Sequence, residues 1–418
     1  MSLYFKFSIH MRQIKKGGLI VFFYKSGTLV KRMLSSIWAI PSVLAIRLIR
    51  PIIFIRFGTI RSDRIGHFVS EFGLQFAENS INNSTVDWYW LPKLTSNRQW
   101  EIMIRRHVYV SFLVRYLDYW NMVLPGGKMH SRPSTITDGR DITGAIHRSN
   151  SPIKFLHQEE KQVKSWLRSY GWKDGDQFVC VLVRDAAFLS SSSMHKNTHD
   201  YNYHSYRDDD IANYIDALEW LANNGVWVIR MGRIMNNRLL TSHEKIIDYA
   251  FSPDQSDLLD IWLFANCDLC ISTGSGPDMV SLIYQRPILF INYIPFKSVI
   301  LSGYTINHPR KLVWTKTGLL LTLKEHLEHA YGTTQEYKDA NIDVINLNSG
   351  EILSAVKEAW RKLEDDNLVA LEEDLKNQNK FIEIIMQHES FNSIHGFIHP
   401  KACISTIFLK NHPSFLQL

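Results

Sequence analysis

DLCISTGSGPDMVSLIYQRPILFIN, residues 268–292, decides the fold. Asp268 to Thr273 is a short apolar run, read as a strand. GPDMVSLIYQ has the length and apolar content of a helix, and Pro287 to Asn292 is again nearly all apolar. Strands without polar alternation are covered on both faces, which happens when helices cross over a parallel sheet. The same unit recurs upstream. FVCVLVRD (Phe178 to Asp185), VWVIRMG (Val226 to Gly232) and IIDYAF (Ile246 to Phe251) read as strands. Asp208 to Asn224 reads as a helix with Ile211, Tyr214, Ile215, Leu218 and Leu221 on one face. SDLLDIWLFANC reads as a second, capped by Ser256. Further upstream, PIIFIRFG (Pro51 to Gly58), IGHFVSEFGLQFAEN and VDWYWL (Val86 to Leu91) repeat strand, helix, strand, with helical patterns from Asn97 to about Tyr119. Leu124 to Gly144 is dense in Gly, Pro, Ser and Thr and reads as a loop, so a domain boundary is expected near residue 152. Helices are expected at about Leu323 to Tyr331, Ser349 to Glu364 and Leu368 to Gln387.

The rest of the composition is permissive. The 418 residues are 45% hydrophobic, 12% aromatic and 21% charged, which excludes a disordered, collagenous or coiled-coil chain. Four cysteines exclude a disulfide-stapled scaffold and fit a reducing compartment. Charge is uneven. Residues 1–65 hold twelve Lys/Arg and one acid, a net +11, so the remaining 353 residues carry −5 of the chain's +6. That asymmetry points to an anionic partner.

The N-terminal apolar runs choose the partner. Leu19 to Tyr24 and Met33 to Ile46 are uncharged, and the second contains Pro41. Fourteen residues fall short of the roughly 20 that a spanning helix needs. The expectation is an interfacial segment, with aliphatic side chains at the headgroup boundary and Lys/Arg meeting anionic lipid. Packing on the first domain is the plainer alternative. A nucleic-acid surface would lack these long aliphatic runs.

Ligands of open parallel sheets bind beyond the carboxyl ends of the strands. Thr273, Gly274, Ser275, Gly276 and Pro277 occupy one such end. Their glycines let backbone approach a ligand, and the helix start offers free N–H groups to a diphosphate. A tight turn needing glycine only for packing is the alternative. No Gly-Lys-Ser/Thr follows, so it is not a Walker loop, and the third glycine of GxGxxG is missing. Arg184 and Arg230 end neighbouring strands and are suited to phosphate, unless they merely pair with acids such as Asp185. Asp185 is a candidate base. The polar loop from Ala186 to Arg207 offers His199, Asp200, Tyr206 and Arg207 as substrate contacts. Asp208-Asp209-Asp210 contains a D-x-D that could hold a metal, although acids in a helix's first turn need no metal to explain them. Cys267-x-x-Cys270 has redox or zinc spacing but no second pair. His67, at a loop-to-helix junction, is a second candidate base or a structural histidine.

Six stretches together carry a resemblance: RIGHF (Arg64 to Phe68), LPGGKMHSRP (Leu124 to Pro133), FVCVLVRDAAFL (Phe178 to Leu189), HDY with YRDDDIANYIDALEWL (His199 to Leu221), VIRMG (Val228 to Gly232) and the run Ser256 to Val280. The chain resembles a family of bacterial glycosyltransferases encoded with surface-polysaccharide genes, of the two-domain GT-B type. The likeness covers most of residues 51–295 and fades beyond about 310. It implies an α/β fold of two Rossmann-like domains: a membrane-associating segment at 1–50, an acceptor domain at 51–152, a nucleotide-sugar domain at 153–330, and C-terminal helices and tail at 331–418. It further implies sugar transfer from a nucleotide-sugar donor to a glycan or lipid-linked acceptor at the cytoplasmic face of the inner membrane. Metal and other cofactors are not expected, because basic side chains and a helix start would stabilise the leaving diphosphate. A nucleotide-sugar epimerase and a non-catalytic nucleotide- or glycan-binding protein share the architecture.

Overall fold

The computed structural model describes residues 3–81, 85–132, 139–149, 153–187, 205–364 and 371–417. The fold is α/β, built on two parallel sheets. Its backbone divides into two compact units that are not contiguous in sequence. One comprises residues 1–61, 82–93 and 105–134; the other comprises 62–81, 94–104 and 135–418. The division does not run through residue 152, and the helices after residue 331 belong to the second unit.

The first unit holds β1 (Phe54–Thr59), β2 (Thr85–Trp90) and β3 (Tyr109–Val110) in a parallel sheet, order β1-β2-β3. Strand β3 interrupts the helical pattern expected from Asn97 to Tyr119, leaving helices Arg98–His107 and Val114–Val123 on either side. Arg56 of β1 grips the buried Asp87 of β2 with Nε at 2.7 Å and Nη2 at 2.9 Å. A carboxylate this deep needs such a paired, charge-assisted partner.

Before this sheet runs one long helix, Leu3–Leu48, bent where Gly18 adopts φ 62°. Pro41 lies inside it instead of ending it. The stretch Gly18–Leu48 is long and apolar enough to cross a membrane by length and composition. Its side chains nevertheless divide into two faces. Ser35, Ala39, Val43 and Ile46 are buried, the last three against Ile55, Phe57, Val114 and Leu117 of the same unit. Arg47 fixes the helix end by donating to Asn121 Oδ1 at 2.8 Å and to the Pro125 carbonyl at 2.6 Å. On the opposite face Leu19, Phe23, Val30, Leu34, Ile37, Leu44 and Leu48 recur at helical spacing, all exposed, Ile37 at 76% and Leu48 at 81%.

The second unit is built on seven parallel strands. These are β4 (Phe178–Leu182), β5 (Trp227–Arg230), β6 (Ile246–Ile247), β7 (Leu269–Ser272), β8 (Ile288–Tyr293), β9 (Thr305–Pro309) and β12 (Cys403–Ile404). Strands β10 (Lys311–Trp314) and β11 (Ile342–Ile345) form a separate antiparallel pair. The large sheet runs β12-β9-β8-β7-β4-β5-β6. From β6 to β9 this is the 3-2-1-4-5-6 order of dinucleotide-binding sheets, which reverses between β4 and β7. Val179, Val181, Leu269, Ile271, Leu289 and Ile291 face a core completed by Leu218, Val356 and Trp360. On the other face Phe178 stacks on Trp262, whose helix, Asp257–Asn266, is capped by Ser256 Oγ accepting from Leu259 N. The strand expected over Ile246 to Phe251 is only two residues long, because the chain turns into a 3₁₀ segment at Tyr249.

Helix Ile65–Ile81 follows β1 in sequence but packs with the second unit. Its first turn meets the turn after β7 backbone to backbone. A Cβ on Gly66 would lie 2.8 Å from Gly276 Cα, and one on Gly276 would lie 3.0 Å from Gly66 N. Gly66→Ala is therefore expected to cost about 1–3 kcal/mol through overpacking against backbone that cannot rotate away. A Cβ on Gly27 would meet no atom within 4 Å, so Gly27→Ala is expected to be neutral or to gain up to about 1 kcal/mol of helix propensity. Thermal unfolding of both variants checks this; equal melting temperatures would deny the close approach.

Candidate functional site

The point where the sheet reverses lies between the carboxyl ends of β4 and β7, where a crevice for ligand is expected. Arg184, just beyond β4, donates its backbone N–H to Thr273 Oγ1 at 3.0 Å, tying the two strand ends together. Its side chain turns to Asp208, with Nε 3.2 Å from Oδ1. Arg207 reaches the same place from the far end of the polar loop and donates Nη2 to the Gly274 carbonyl at 2.6 Å. Arg207 Nε is buried and has no hydrogen-bond partner among the described residues. Burial, then the nearby Arg207 charge, hold the Arg184 pKa below its ordinary value. Burial likewise pushes Asp208 up, against the pull of Arg184. Two guanidinium groups thus converge where little water screens them.

The turn itself is tightly built. Gly274 takes φ +79°, and the Tyr293 ring would lie 2.6 Å from a Cβ there. Two of its amides are already engaged: Gly274 N donates to Ser272 Oγ at 3.1 Å and Ser275 N to Asp278 Oδ2 at 2.8 Å. Asp278 is fully buried and also accepts from Ser272 Oγ at 2.7 Å. Burial raises its pKa to about 6, against the opposing pull of those hydrogen bonds. Pro277 follows in a 3₁₀ turn, Gly276–Asp278, before helix Met279–Ile283. The expected helix start is therefore capped by the chain's own carboxylate, and guanidinium groups take the larger share of any anion contact.

Of the other residues singled out by sequence, His67 sits one position after Gly66 and so beside the Gly276 turn, half-buried. Tyr206 is buried against Tyr337 with ring centroids 5.3 Å apart. Its backbone carbonyl is gripped by Arg310, which also donates to the Asp208 carbonyl at 3.1 Å. Arg310 is a buried support that sequence reasoning misses, because β9 before it lacks the apolar pattern of a strand. Asp185 spends one oxygen on Ala187 N at 2.9 Å and the other on Asn236 N at 2.8 Å, fastening two loops. Arg230 is not in this group. It is buried against Asp248 at 3.1 Å, the Asn237 carbonyl at 2.8 Å and the Phe251 ring. His199 and Asp200 lie outside the described residues.

The D-x-D acids serve separate partners. Asp208 takes Arg184, Asp209 accepts from Tyr214 and Asn292, and Asp210 caps the 3₁₀ turn at Ala212 N. Cys267 and Cys270 are buried free thiols. Among the described residues no group of three or more His, Cys, Asp or Glu gathers as a metal site. The Gly274 turn also lines a cavity of about 200 Å³, with Arg140, Tyr293 and His395 in its walls.

No family model matches the chain, and no protein of curated function matches it in sequence. Solved structures with a similar fold include a family 9 glycosyl transferase from Veillonella parvula, 13% identical, TM-score 0.40, spanning 61% of this chain and 85% of that one. Another is the ADP-heptose LPS heptosyltransferase II of E. coli, 12% identical, TM-score 0.40, spanning 74% and 100%. A third is the UDP-GlcNAc 2-epimerase of Methanocaldococcus jannaschii, 13% identical, TM-score 0.28, spanning 75% and 73%. At scores this low none bears on the activity of this chain, which has to be argued from the site.

Asp278 gives the site a pH signature. Its folded pKa of about 6 lies above the usual carboxyl value of 3.8. The stability its neutral form contributes is therefore complete below pH 3.8 and disappears as pH rises through about 6. The full difference is about 3 kcal/mol. Relative to Asp278→Asn, the wild type should lose melting temperature between pH 4 and pH 7; a constant offset across that range would contradict a buried, raised carboxyl.

Proposed function

We propose that the chain transfers a glycosyl group from a nucleotide-sugar donor to a surface-polysaccharide or lipid-linked glycan acceptor. One observation carries the reading: at the reversal point of a 3-2-1-4-5-6 sheet, Arg207 grips the Gly274 carbonyl while the Arg184 guanidinium, paired with Asp208, lies near enough to feel the Arg207 charge. A diphosphate leaving group needs such an arrangement. Guanidinium groups fixed in a poorly hydrated crevice stabilise charge as it develops and need not reorganise. Arg207 Nε, buried and without a partner among the described residues, is a donor suited to a ligand acceptor.

The reaction proposed is direct displacement at the anomeric carbon. The acceptor oxygen bonds to that carbon as the bond to the phosphate oxygen breaks. The acceptor proton passes to a base, and the electron pair leaves with the diphosphate held by Arg184 and Arg207. Of the two candidate bases, Asp185 joins two loops through both its oxygens, and His67 follows Gly66, whose backbone meets the Gly276 turn.

The N-terminal helix supports action at an anionic membrane surface from the cytoplasmic side. Its exposed stripe from Leu19 to Leu48 is about 44 Å long at 1.5 Å per residue and lies opposite the face that packs on the first unit. Lys25, Lys31 and Arg32 interrupt the sequence of the stretch. A helix with one apolar face and flanking cations lies in the interface plane. Such a location suits an acceptor carried on lipid.

Arg207→Ala should weaken donor binding about 10- to 100-fold, the worth of a charge-assisted hydrogen bond. Arg230→Ala should lower thermal stability and leave donor affinity unchanged. Calorimetric titration across a panel of nucleotide sugars reads both, and unchanged affinity in Arg207→Ala would remove the phosphate site. His67→Ala should lower turnover roughly 10²- to 10⁴-fold with donor affinity retained. Flotation with anionic vesicles should fall steeply with added salt and be lost in Ile37→Glu/Leu44→Glu; salt-independent flotation of that variant would sink the interfacial reading.

A further inference from the structure

Beyond residue 309 the sequence singles out no site residue, yet the chain there builds a small module of its own. Strands β10 and β11 pair, and helix Thr334–Asp339 lies between them in sequence. Leu312, Leu321, Tyr337 and Ile342 form a core with Ile294. One further side chain completes that core, and it comes from far upstream: Tyr206, 6% exposed, the residue before Arg207. A ring packed this deeply fixes the Cα that carries it.

The backbone around that Cα is held as well. Thr334 Oγ1 accepts from Tyr206 N at 3.1 Å and shares a hydrogen bond with the Ser205 hydroxyl at 3.0 Å. Arg310, immediately before β10 and buried, donates Nη1 to the Tyr206 carbonyl and Nη2 to the Asp208 carbonyl at 3.1 Å. These are the carbonyls on either side of Arg207, so one planar guanidinium spans the residue. Asp209 N then donates to the Arg184 carbonyl at 3.0 Å. Arg310 has an anchor of its own. Asp209 Oδ2 lies 4.0 Å from its Nη2 and accepts from Asn292 Nδ2 at 2.6 Å, while Asp209 Oδ1 accepts from Asn346 Nδ2 at 2.9 Å.

A long cationic side chain binds weakly when its own backbone must be ordered at the same moment. Ordering that backbone beforehand removes the cost from binding. We infer that residues 310–345 act as a clamp, with Arg310 and Thr334 as positioning residues that hold Arg207 at the Gly274 turn, ready for the diphosphate; this rests on the nucleotide-sugar reading of the site. Both residues act through Arg207 and not on the ligand. The clamp gives a role to the part of the chain that carries none of the site's own residues.

Two measurements on the full chain read the loop and the ligand separately. Amide hydrogen exchange over residues 205–210 reports the clamp, and calorimetric titration with inorganic pyrophosphate reports Arg207. Arg310→Lys keeps a cation beside Asp209 but loses the planar fork. Thr334→Val keeps the shape of the side chain and loses its hydroxyl. Each should speed exchange over 205–210 and weaken pyrophosphate binding about 5- to 30-fold, the equivalent of ordering one backbone residue on binding instead of before it. Thr334→Ser should restore both readouts. Arg230→Ala, which removes a buried guanidinium from the same unit, should lower the melting temperature and change neither. Wild-type exchange or wild-type affinity in either Arg310→Lys or Thr334→Val overturns the inference. The same losses in Arg230→Ala also overturn it, since they would reduce the clamp to general stability. If Arg310→Lys does not fold, Thr334→Val and its serine rescue decide alone. If the wild type fails to bind pyrophosphate, or Arg207→Ala binds it equally well, the nucleotide-sugar reading fails and the inference falls with it.

Discussion

The second unit depends on a place where two glycines remove the side chains that would hold two backbones apart. Gly66 and Gly276 let the start of helix Ile65–Ile81 rest on the turn that closes β7. Without that approach the helix would stand off by the thickness of a methyl group at least, and the turn would lose its outer wall. The same helix meets Ile283 where Gly73 leaves room for it, so the contact continues along the helix. Packing of this kind has little capacity to relax, because backbone atoms cannot change rotamer. It also sets what the turn can do. Held from outside at Gly276 and lined by Tyr293 at Gly274, the turn keeps one conformation and offers its carbonyl to Arg207.

The sheet of the second unit is legible in the sequence wherever burial is uniform. Each of β4, β5, β7 and β8 opens on an apolar run of at least three residues that fits between two helical layers, and each forms within a few residues of its expected bounds. Strands β9 and β12 are not legible. Thr305, Asn307 and His308 are polar yet buried, and the partner of Asn307 lies far away in sequence: its Nδ2 donates to the Cys403 carbonyl at 3.1 Å. A polar residue satisfied by a distant chain segment carries no local mark of burial. The long N-terminal helix is obscured for another reason. Proline is costly within a helix in water, but here the turns around Pro41 are supported by Ala39 and Val43 packing on the first unit.

Site legibility follows chemistry but not direction. The residue types beyond β4 and β7 single out two strand ends, and these lie side by side, with Arg184 N donating to Thr273 Oγ1. Arg230 illustrates the limit. It ends a neighbouring strand, as Arg184 does, yet its side chain leads to Asp248 and Phe251. Strand position fixes where a Cα lies; the partner that a long cationic side chain finds is settled by acids whose location depends on the whole fold. Arg207, one of four contacts that the polar loop offers by sequence, reaches the Gly274 carbonyl.

The most consequential departure concerns the turn's own anion. A glycine turn at a helix start suggests amides waiting for phosphate, but Asp278 already accepts from Ser275 N and Ser272 Oγ. A buried carboxylate whose pKa is raised to about 6 is costly to keep ionised, and it would repel a second anion at the same amides. The turn is therefore rigid before ligand arrives, and its contribution is to position rather than to attract. On the proposed function, attraction falls to Arg184 and Arg207, whose mutual repulsion an anion between them would relieve. A leaving group that gains negative charge as its bond breaks gains most from such a pair, because the repulsion between the two cations is released as charge accumulates. On the proposed function, such a pair suits a departing diphosphate better than a cofactor held unchanged through a reaction.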